Sequence, residues 1–355
     1  MKRRIKITVI VAAFLAILFS PAEKAGAFTV SKAEAVIEVA SGRILYENNS
    51  LEKLPMASTT KIVTAITVID NFDVEKTVVV PKDCEGKEGS SIYLKAGEKY
   101  KVIDLLYGLM LRSGNDAAET LSETLCGSVE NFVKLMNETA KKTGAENSNF
   151  VNPHGLPCDN HYTTAKDLAL ITRYAMKNPL FKKIVSSKKH IAEELVSGEK
   201  RVWINKNKML FNFDGADGVK TGYTVKAGRC LVSSALRDGM EVICVVLNSP
   251  QMFERSAELL ENAFAEYKTV KVIDPERFDK VIFNADKSKS YELTKPEAFV
   301  YPVAVGEKIT CVTDFDSFGV KNDYRSGEKV GSIKIYCSKQ LIFSQNVYTL
   351  KRISI

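Results

Sequence analysis

Hydrophobic and polar positions change period several times along the chain. Residues 33–39 and 43–46 are β-rich runs on either side of Ser41-Gly42, which predicts two strands joined by a turn. Between Ser58 and Asn71 the apolar residues fall at 62, 65, 66 and 69, one face of a helix. Helical patterns follow at 102–111, 117–125, 129–142 and 165–176. Residues 228–247 predict a hairpin, because β-rich arms flank Asp238-Gly239, and 253–267 predict a closing helix. After about Lys268 no helical period persists. Short β-rich runs (270–273, 330–336, 340–343) are broken by Asp, Gly, Pro and Lys, as in a small all-β domain.

The first residues change the picture by setting the compartment. Lys2, Arg3, Arg4 and Lys6 precede an apolar run at 7–19, and Ala25-Gly26-Ala27 supplies small residues for cleavage. This predicts a signal peptide at 1–27. The run is shorter than the ~20 residues that span a bilayer; an uncleaved anchor is the alternative. The remaining chain divides into an expected catalytic domain, 28–268, and a β-sandwich domain, 269–355. The leader holds five basic residues and one acid, so its removal lowers the net charge from +7 to +3. That mild excess, with no basic cluster interleaved with aromatics, does not indicate nucleic-acid binding. The seven cysteines (84, 126, 158, 230, 244, 311 and 337) are odd in number and form no C-x-x-C, so buried free thiols are expected rather than a disulfide framework. The three histidines, 154, 161 and 190, form no H-E-x-x-H and no zinc-spaced set. No G-x-S-x-G occurs. Neither a metal nor a cofactor is expected.

Candidate chemistry lies in "MASTTKIVTA". In a helix, Ser58 and Lys61 are one turn apart on the same side, so the amine can reach the hydroxyl. A serine is a weak nucleophile until a base removes its proton. A lysine can serve only when neutral, and burial or a second cation lowers its pKa. The pattern alone is weak, because Ser-x-x-Lys begins at Ser50, Ser58, Ser186, Ser197 and Ser326. Context selects Ser58. Ser113-Gly114-Asn115 follows between two helices, and Lys220-Thr221-Gly222 precedes the hairpin. A second K-T-G at 142–144 ends a helical run, where Gly144 suits a C-cap. A second S-x-N at 344–346 falls within the β domain, after K-T-G. A hydroxyl, an amide and a second lysine complete an acyl-transfer site without histidine, in the motif order of penicillin-recognising enzymes.

"PMASTTKIVTA", "LRSGNDAAETL", "NPHGLPCDNHYTTAKDLALI", "GADGVKTGYTVKAGRCLV" and, in the tail, "YELTKPEAFVYPV" and "SGEKVGSIKIY" together resemble the low-molecular-mass penicillin-binding proteins that are D-alanyl-D-alanine carboxypeptidases. The resemblance covers nearly the whole chain after the leader. It implies an α/β (α+β) fold: a penicillin-binding/β-lactamase-like domain with a five-stranded antiparallel sheet flanked by helices, then a small all-β C-terminal domain. It implies that Ser58 attacks the carbonyl between the terminal D-alanines of peptidoglycan pentapeptide stems and that Lys61 takes its proton. Ser58 and Tyr223 would give oxyanion-hole N–H groups. Ser113 and Lys220 would pass a proton to the leaving D-alanine, with Lys220 kept cationic. Asn115 would hold the substrate amide and Lys61, Lys220 and Thr221 the terminal carboxylate, and Gly222 would let the substrate approach the strand. β-Lactam antibiotics would be covalent inhibitors.

The sequence departs from the family pattern in three places. Cys158 stands near a position that is acidic in many relatives. Met252-Phe253 replaces an arginine-aromatic pair that supplies a carboxylate ligand, which makes the nearby Arg255 a candidate substitute. The chain ends in "NVYTLKRISI" without the amphipathic anchor helix common among relatives, so a released or wall-associated protein is expected outside the cytoplasmic membrane. Two rival readings are a β-lactamase, although no E-x-x-L-N lies between Asn115 and Lys220, and a catalytically silent wall-binding protein.

Overall fold

The structure is a computed structural model, and it describes residues 31–278, 281–283, 287–314 and 323–353. The expected leader lies outside the described residues.

Strands β1 (Ala33–Glu38) and β2 (Ile44–Asn48) are followed by a 3-10 turn, Ala57–Thr60, that runs into helix α1 (Lys61–Asn71). A small ribbon, β3 (Thr77–Val79) with β4 (Lys99–Lys101), brackets a long loop. Helix α2 (Val102–Tyr107) continues as one π-helical turn, Gly108–Arg112, before α3 (Asn115–Cys126) and α4 (Val129–Lys142). Helices α5 (Ala165–Met176) and α6 (Pro179–Ser186) precede a hairpin of β5 (Lys189–Glu193) and β6 (Lys200–Ile204). Short α7 (Met209–Asn212) leads to β7 (Ala216–Thr224), β8 (Gly228–Arg237), β9 (Met240–Leu247) and α8 (Met252–Glu266).

Local chemistry explains several boundaries. Ser128 and Thr164 accept from the N–H groups of Asn131 and Asp167 and so cap α4 and α5, each worth about 1 kcal/mol. Asn178 caps α6, and Pro179 fills its first turn. Asp238 and Gly239 both have positive φ, as a two-residue hairpin turn requires. Arg237 therefore pairs with Met240 and Ser233 with Cys244, which keeps Cys230 and Cys244 apart, as expected. All seven cysteines are free.

The main sheet is antiparallel, in the order β2-β1-β9-β8-β7. The cores lie on its two faces. One cluster joins Ala35, Ile37, Val232, Ile243 and Val245 to α1–α6, and the other joins Val36, Leu231, Cys244 and Val246 to α8. Among the described residues β7 has no strand on its outer side; the Gly218 carbonyl accepts from Asn207 Nδ2 at 2.8 Å, and part of the edge beyond it is open to pair.

Beyond α8 the chain is β-structured. β10 (Tyr267–Ile273) pairs with β13 (Phe299–Ala304). A five-stranded sheet is ordered β11 (Val281–Phe283), β12 (Ser290–Leu293), β16 (Gln340–Ile353), β15 (Lys329–Cys337), β14 (Ile309–Asp314). It has its own core around Ile282, Tyr291, Ile333, Ile335 and Val347. Arg43 ties this region to the main sheet: its guanidinium bonds Glu307 at 2.5 and 2.7 Å and donates to the Pro302 carbonyl. Among the described residues, no helix is long and apolar enough to cross a membrane.

Candidate active site

Ser58 lies in the 3-10 turn and caps no helix with its side chain. Its neighbour Ala57 has φ 50°, a left-handed conformation that costs on the order of 1 kcal/mol for a non-glycine residue. The turn sits against β7. A Cβ on Gly222 would come within 3.0 Å of the Ser58 nitrogen and 3.1 Å of the Met56 carbonyl. The glycine therefore lets the Ser58 turn pack closely on the strand.

Lys61, the first residue of α1, is fully buried. Its Nζ lies 3.1 Å from Ser58 Oγ, 2.6 Å from Asn115 Oδ1 and 2.6 Å from the His154 carbonyl. Burial pulls its pKa well below that of an ordinary lysine, and the charge of Lys220 adds to this. A neutral amine has two N–H groups and one lone pair. In the neutral form the two carbonyl oxygens would take the N–H groups, which would leave the lone pair for the Ser58 hydroxyl. This is the arrangement a general base needs.

Ser113 ends the π-helical turn with φ 68° and is buried. Neighbouring Asn115 opens α3. Its Oδ1 accepts from Lys61, while its Nδ2 donates to the Glu88 carbonyl at 2.6 Å. One of the two Nδ2 hydrogens is thus held by the loop before β4. Asp116 fixes that loop, accepting from Ile92 N, Leu94 N and Ser91 Oγ.

Lys220 is buried on β7, and its Nζ donates to the Thr221 carbonyl at 2.9 Å. No hydrogen bond joins it to Ser113, because the ammonium folds back on its own strand. Burial, with help from Lys206, pulls its pKa down to about 7. The expectation that a carboxylate ligand keeps Lys220 cationic concerns the occupied site. Thr221 is half-buried and Tyr223 exposed on the unpaired edge.

Arg255 is not at this site. From α8, on the other face of the sheet, it bonds Glu34 at 2.7 and 2.9 Å and Glu258 at 2.8 Å. Glu34 is fully buried on β1, and a buried carboxylate demands such a partner. The suggestion that Arg255 replaces the missing carboxylate ligand is corrected accordingly. Met252 is packed in the α8 core, and Cys158 is an exposed free thiol.

Sequence reasoning missed the His154 carbonyl, Glu119 and Asp116. Main-chain acceptors leave no residue-type signal, and both carboxylates read as ordinary polar positions of α3. Among the described residues no cluster of three or more His, Cys, Asp or Glu could hold a metal.

Comparison with known proteins gives the class. The model of the peptidase S11 family, D-alanyl-D-alanine carboxypeptidase, matches residues 22–251. The chain is 34% identical over 292 residues to D-alanyl-D-alanine carboxypeptidase DacF of Bacillus subtilis, covering 79% of this chain and 75% of that protein. It is 34% identical over 280 residues to DacC of Escherichia coli, with 73% and 69% covered. The structure of penicillin-binding protein 5 from Haemophilus influenzae superposes with a TM-score of 0.75 at 26% identity, over 90% of this chain and 96% of that one. The chain belongs to the D-alanyl-D-alanine carboxypeptidase family of serine peptidases.

Proposed function

We propose that this protein removes the terminal D-alanine from peptidoglycan pentapeptide stems through an acyl-enzyme on Ser58. The observation that carries the reading is Lys61: a fully buried amine 3.1 Å from Ser58 Oγ, with the carbonyl oxygens of Asn115 and His154 each 2.6 Å away to accept its N–H groups. Lys61 takes the hydroxyl proton as Oγ attacks the carbonyl of the penultimate D-alanine. The N–H groups of Ser58 and Tyr223 stabilise the oxyanion as it forms. Collapse breaks the amide bond, and a proton delivered through Ser113 and Lys220 lets D-alanine leave as the amine. Water then hydrolyses the ester and restores Ser58. The unpaired edge of β7 receives the peptide backbone as an added strand, with Lys220 and Thr221 on its terminal carboxylate.

A penicillin would acylate the same oxygen, but its leaving amine stays tethered and blocks water, so the adduct persists. The substrate places the enzyme outside the cytoplasmic membrane, at the wall or membrane surface.

The test has two arms. Protein of residues 28–355 should release D-alanine from a pentapeptide. A fluorescent penicillin should label it covalently, and label Ser186→Ala and Ser197→Ala equally, but not Ser58→Ala. Penicilloyl turnover as fast as peptide turnover would make it a β-lactamase instead, and absence of labelling would leave a wall-binding protein.

A further inference from the structure

Glu119 lies on α3 one turn beyond Asn115 and therefore shares its face. It is 9% exposed. Its Oε1 is 3.0 Å from His154 Nε2, and its Oε2 is 3.5 Å from Lys87 Nζ. On the opposite side of the ring, His154 Nδ1 accepts from the Leu156 N–H at 3.2 Å. A ring that accepts at Nδ1 and faces a carboxylate at Nε2 is the neutral Nε2–H tautomer. Burial pulls the His154 pKa down, the charge of Lys87 acts in the same direction, and Glu119 opposes them. Burial works to raise the Glu119 pKa, but the hydrogen bond from His154 and the charge of Lys87 bring it below the usual value.

The two partners of Glu119 sit on the two loops that hold the base. The carbonyl of His154 itself accepts from Lys61. Lys87 precedes Glu88, whose carbonyl fixes Asn115, and Asn115 Oδ1 is the other acceptor of Lys61. The His154 loop has little freedom beside the nucleophile: Gly155 has φ +91°, and a Cβ there would lie 1.9 Å from the Ala57 carbonyl. No hydrogen bond joins Glu119 to Ser58 or Lys61.

We propose that Glu119 is a positioning residue. Its carboxylate clamps His154 and Lys87, so that both carbonyls accepting from neutral Lys61 stay in place and the lone pair stays on Ser58 Oγ. The proposal rests on the reading of Ser58 as nucleophile and Lys61 as base. A small misplacement of a base costs rate rather than binding, and about 1 Å is worth up to ~10²-fold.

The experiment uses residues 28–355 and a fluorescent penicillin, with rapid mixing to separate the non-covalent Kd from the acylation rate constant. Glu119→Ala should lower the acylation rate constant about 10- to 100-fold and leave Kd within about threefold. Glu119→Gln, which still accepts from His154 Nε2–H, should recover most of that rate; a purely structural charge would not be rescued this way. Should the alanine variant not fold, His154→Gln, which keeps the main-chain carbonyl but loses the ring bridge, is measured in its place, with the same split expected. Wild-type acylation in Glu119→Ala, or in His154→Gln as its replacement, would overturn the proposal. So would a parallel loss of Kd and rate, or a glutamine variant no better than alanine. Failure of the wild type to label at Ser58 would instead remove the underlying assignment.

Discussion

The Asn115 amide oxygen and the Lys61 Nζ stand 2.6 Å apart, and the other end of that amide is anchored to the Glu88 carbonyl. The pair therefore has one orientation, with Asn115 as acceptor. Asn115→Asp keeps the shape but places a carboxylate beside the amine and removes the donor to Glu88. A nearby anion raises a lysine pKa. Penicillin acylation at pH 7 should fall by about 10²-fold or more, and the rising limb of its pH profile should move to higher pH. An unshifted profile would show that Lys61 is not the titrating base.

Lys61→Arg retains a cation but not a base, because guanidinium stays protonated in proteins. The variant should fold and acylate at least about 10³-fold more slowly, in keeping with removal of the base from a serine–base unit. Thermal unfolding beside labelling kinetics checks both halves. Near-normal acylation would assign proton abstraction elsewhere.

Lys220 titrates near 7 in the free site because it is buried. Its charged form must be present to bind a carboxylate, so KM for a D-Ala-D-Ala peptide should rise above pH 7, approaching tenfold per pH unit. The stability consequence follows from linkage. The unfolded chain holds the proton up to about pH 10.4 and the folded chain only to about 7. Folded stability therefore rises with pH between these values, and the burial penalty is fully present below 7. Lys220→Met should stabilise the protein by on the order of a few kcal/mol at pH 6, much less at pH 10, while abolishing carboxylate recognition. A melting-temperature gain independent of pH would contradict this origin.

Every residue assigned to the chemistry precedes Tyr267. A chain of residues 28–268 should still be labelled by penicillin. Loss of the bidentate Arg43–Glu307 pair and of Ala304, packed against the core cluster that contains Leu45, should lower its stability by roughly 1–3 kcal/mol. Denaturant unfolding and labelling test the two parts separately. A folded but unlabelled chain would mean that the β region shapes the site.

Periodicity located α1, α4, α5, α8 and the β8–β9 hairpin because each has either a clear apolar face or a turn with one solution. It missed α6, whose eight residues hold too few turns for a period, and the β5–β6 hairpin, whose exposed face carries Ile191, Val202 and Ile204 and so lacks alternation. At the site, Ser58, Lys61, Ser113, Asn115 and Lys220 were legible because their residue types carry their chemistry. The His154 acceptor was not, since any residue offers a carbonyl and only the fold aims it. Arg255 was misread for the converse reason. A lone arginine near the motif looks available until its buried partner Glu34, 221 positions away, is seen.

The unpaired edge of β7 has a consequence for the life of the protein as well as for its chemistry. A strand left open for one guest is open to others, and exposed edges nucleate aggregation. Natural sheets usually blunt such edges with a bulge, a proline or a covering loop, but any of these placed at Lys220–Thr224 would also bar the peptide. Charge offers another safeguard here: Lys206 and, just beyond the strand, Lys226 are exposed. Like charges repel, so these two lysines oppose docking of a second copy of the same strand while leaving its open main-chain groups free for a peptide.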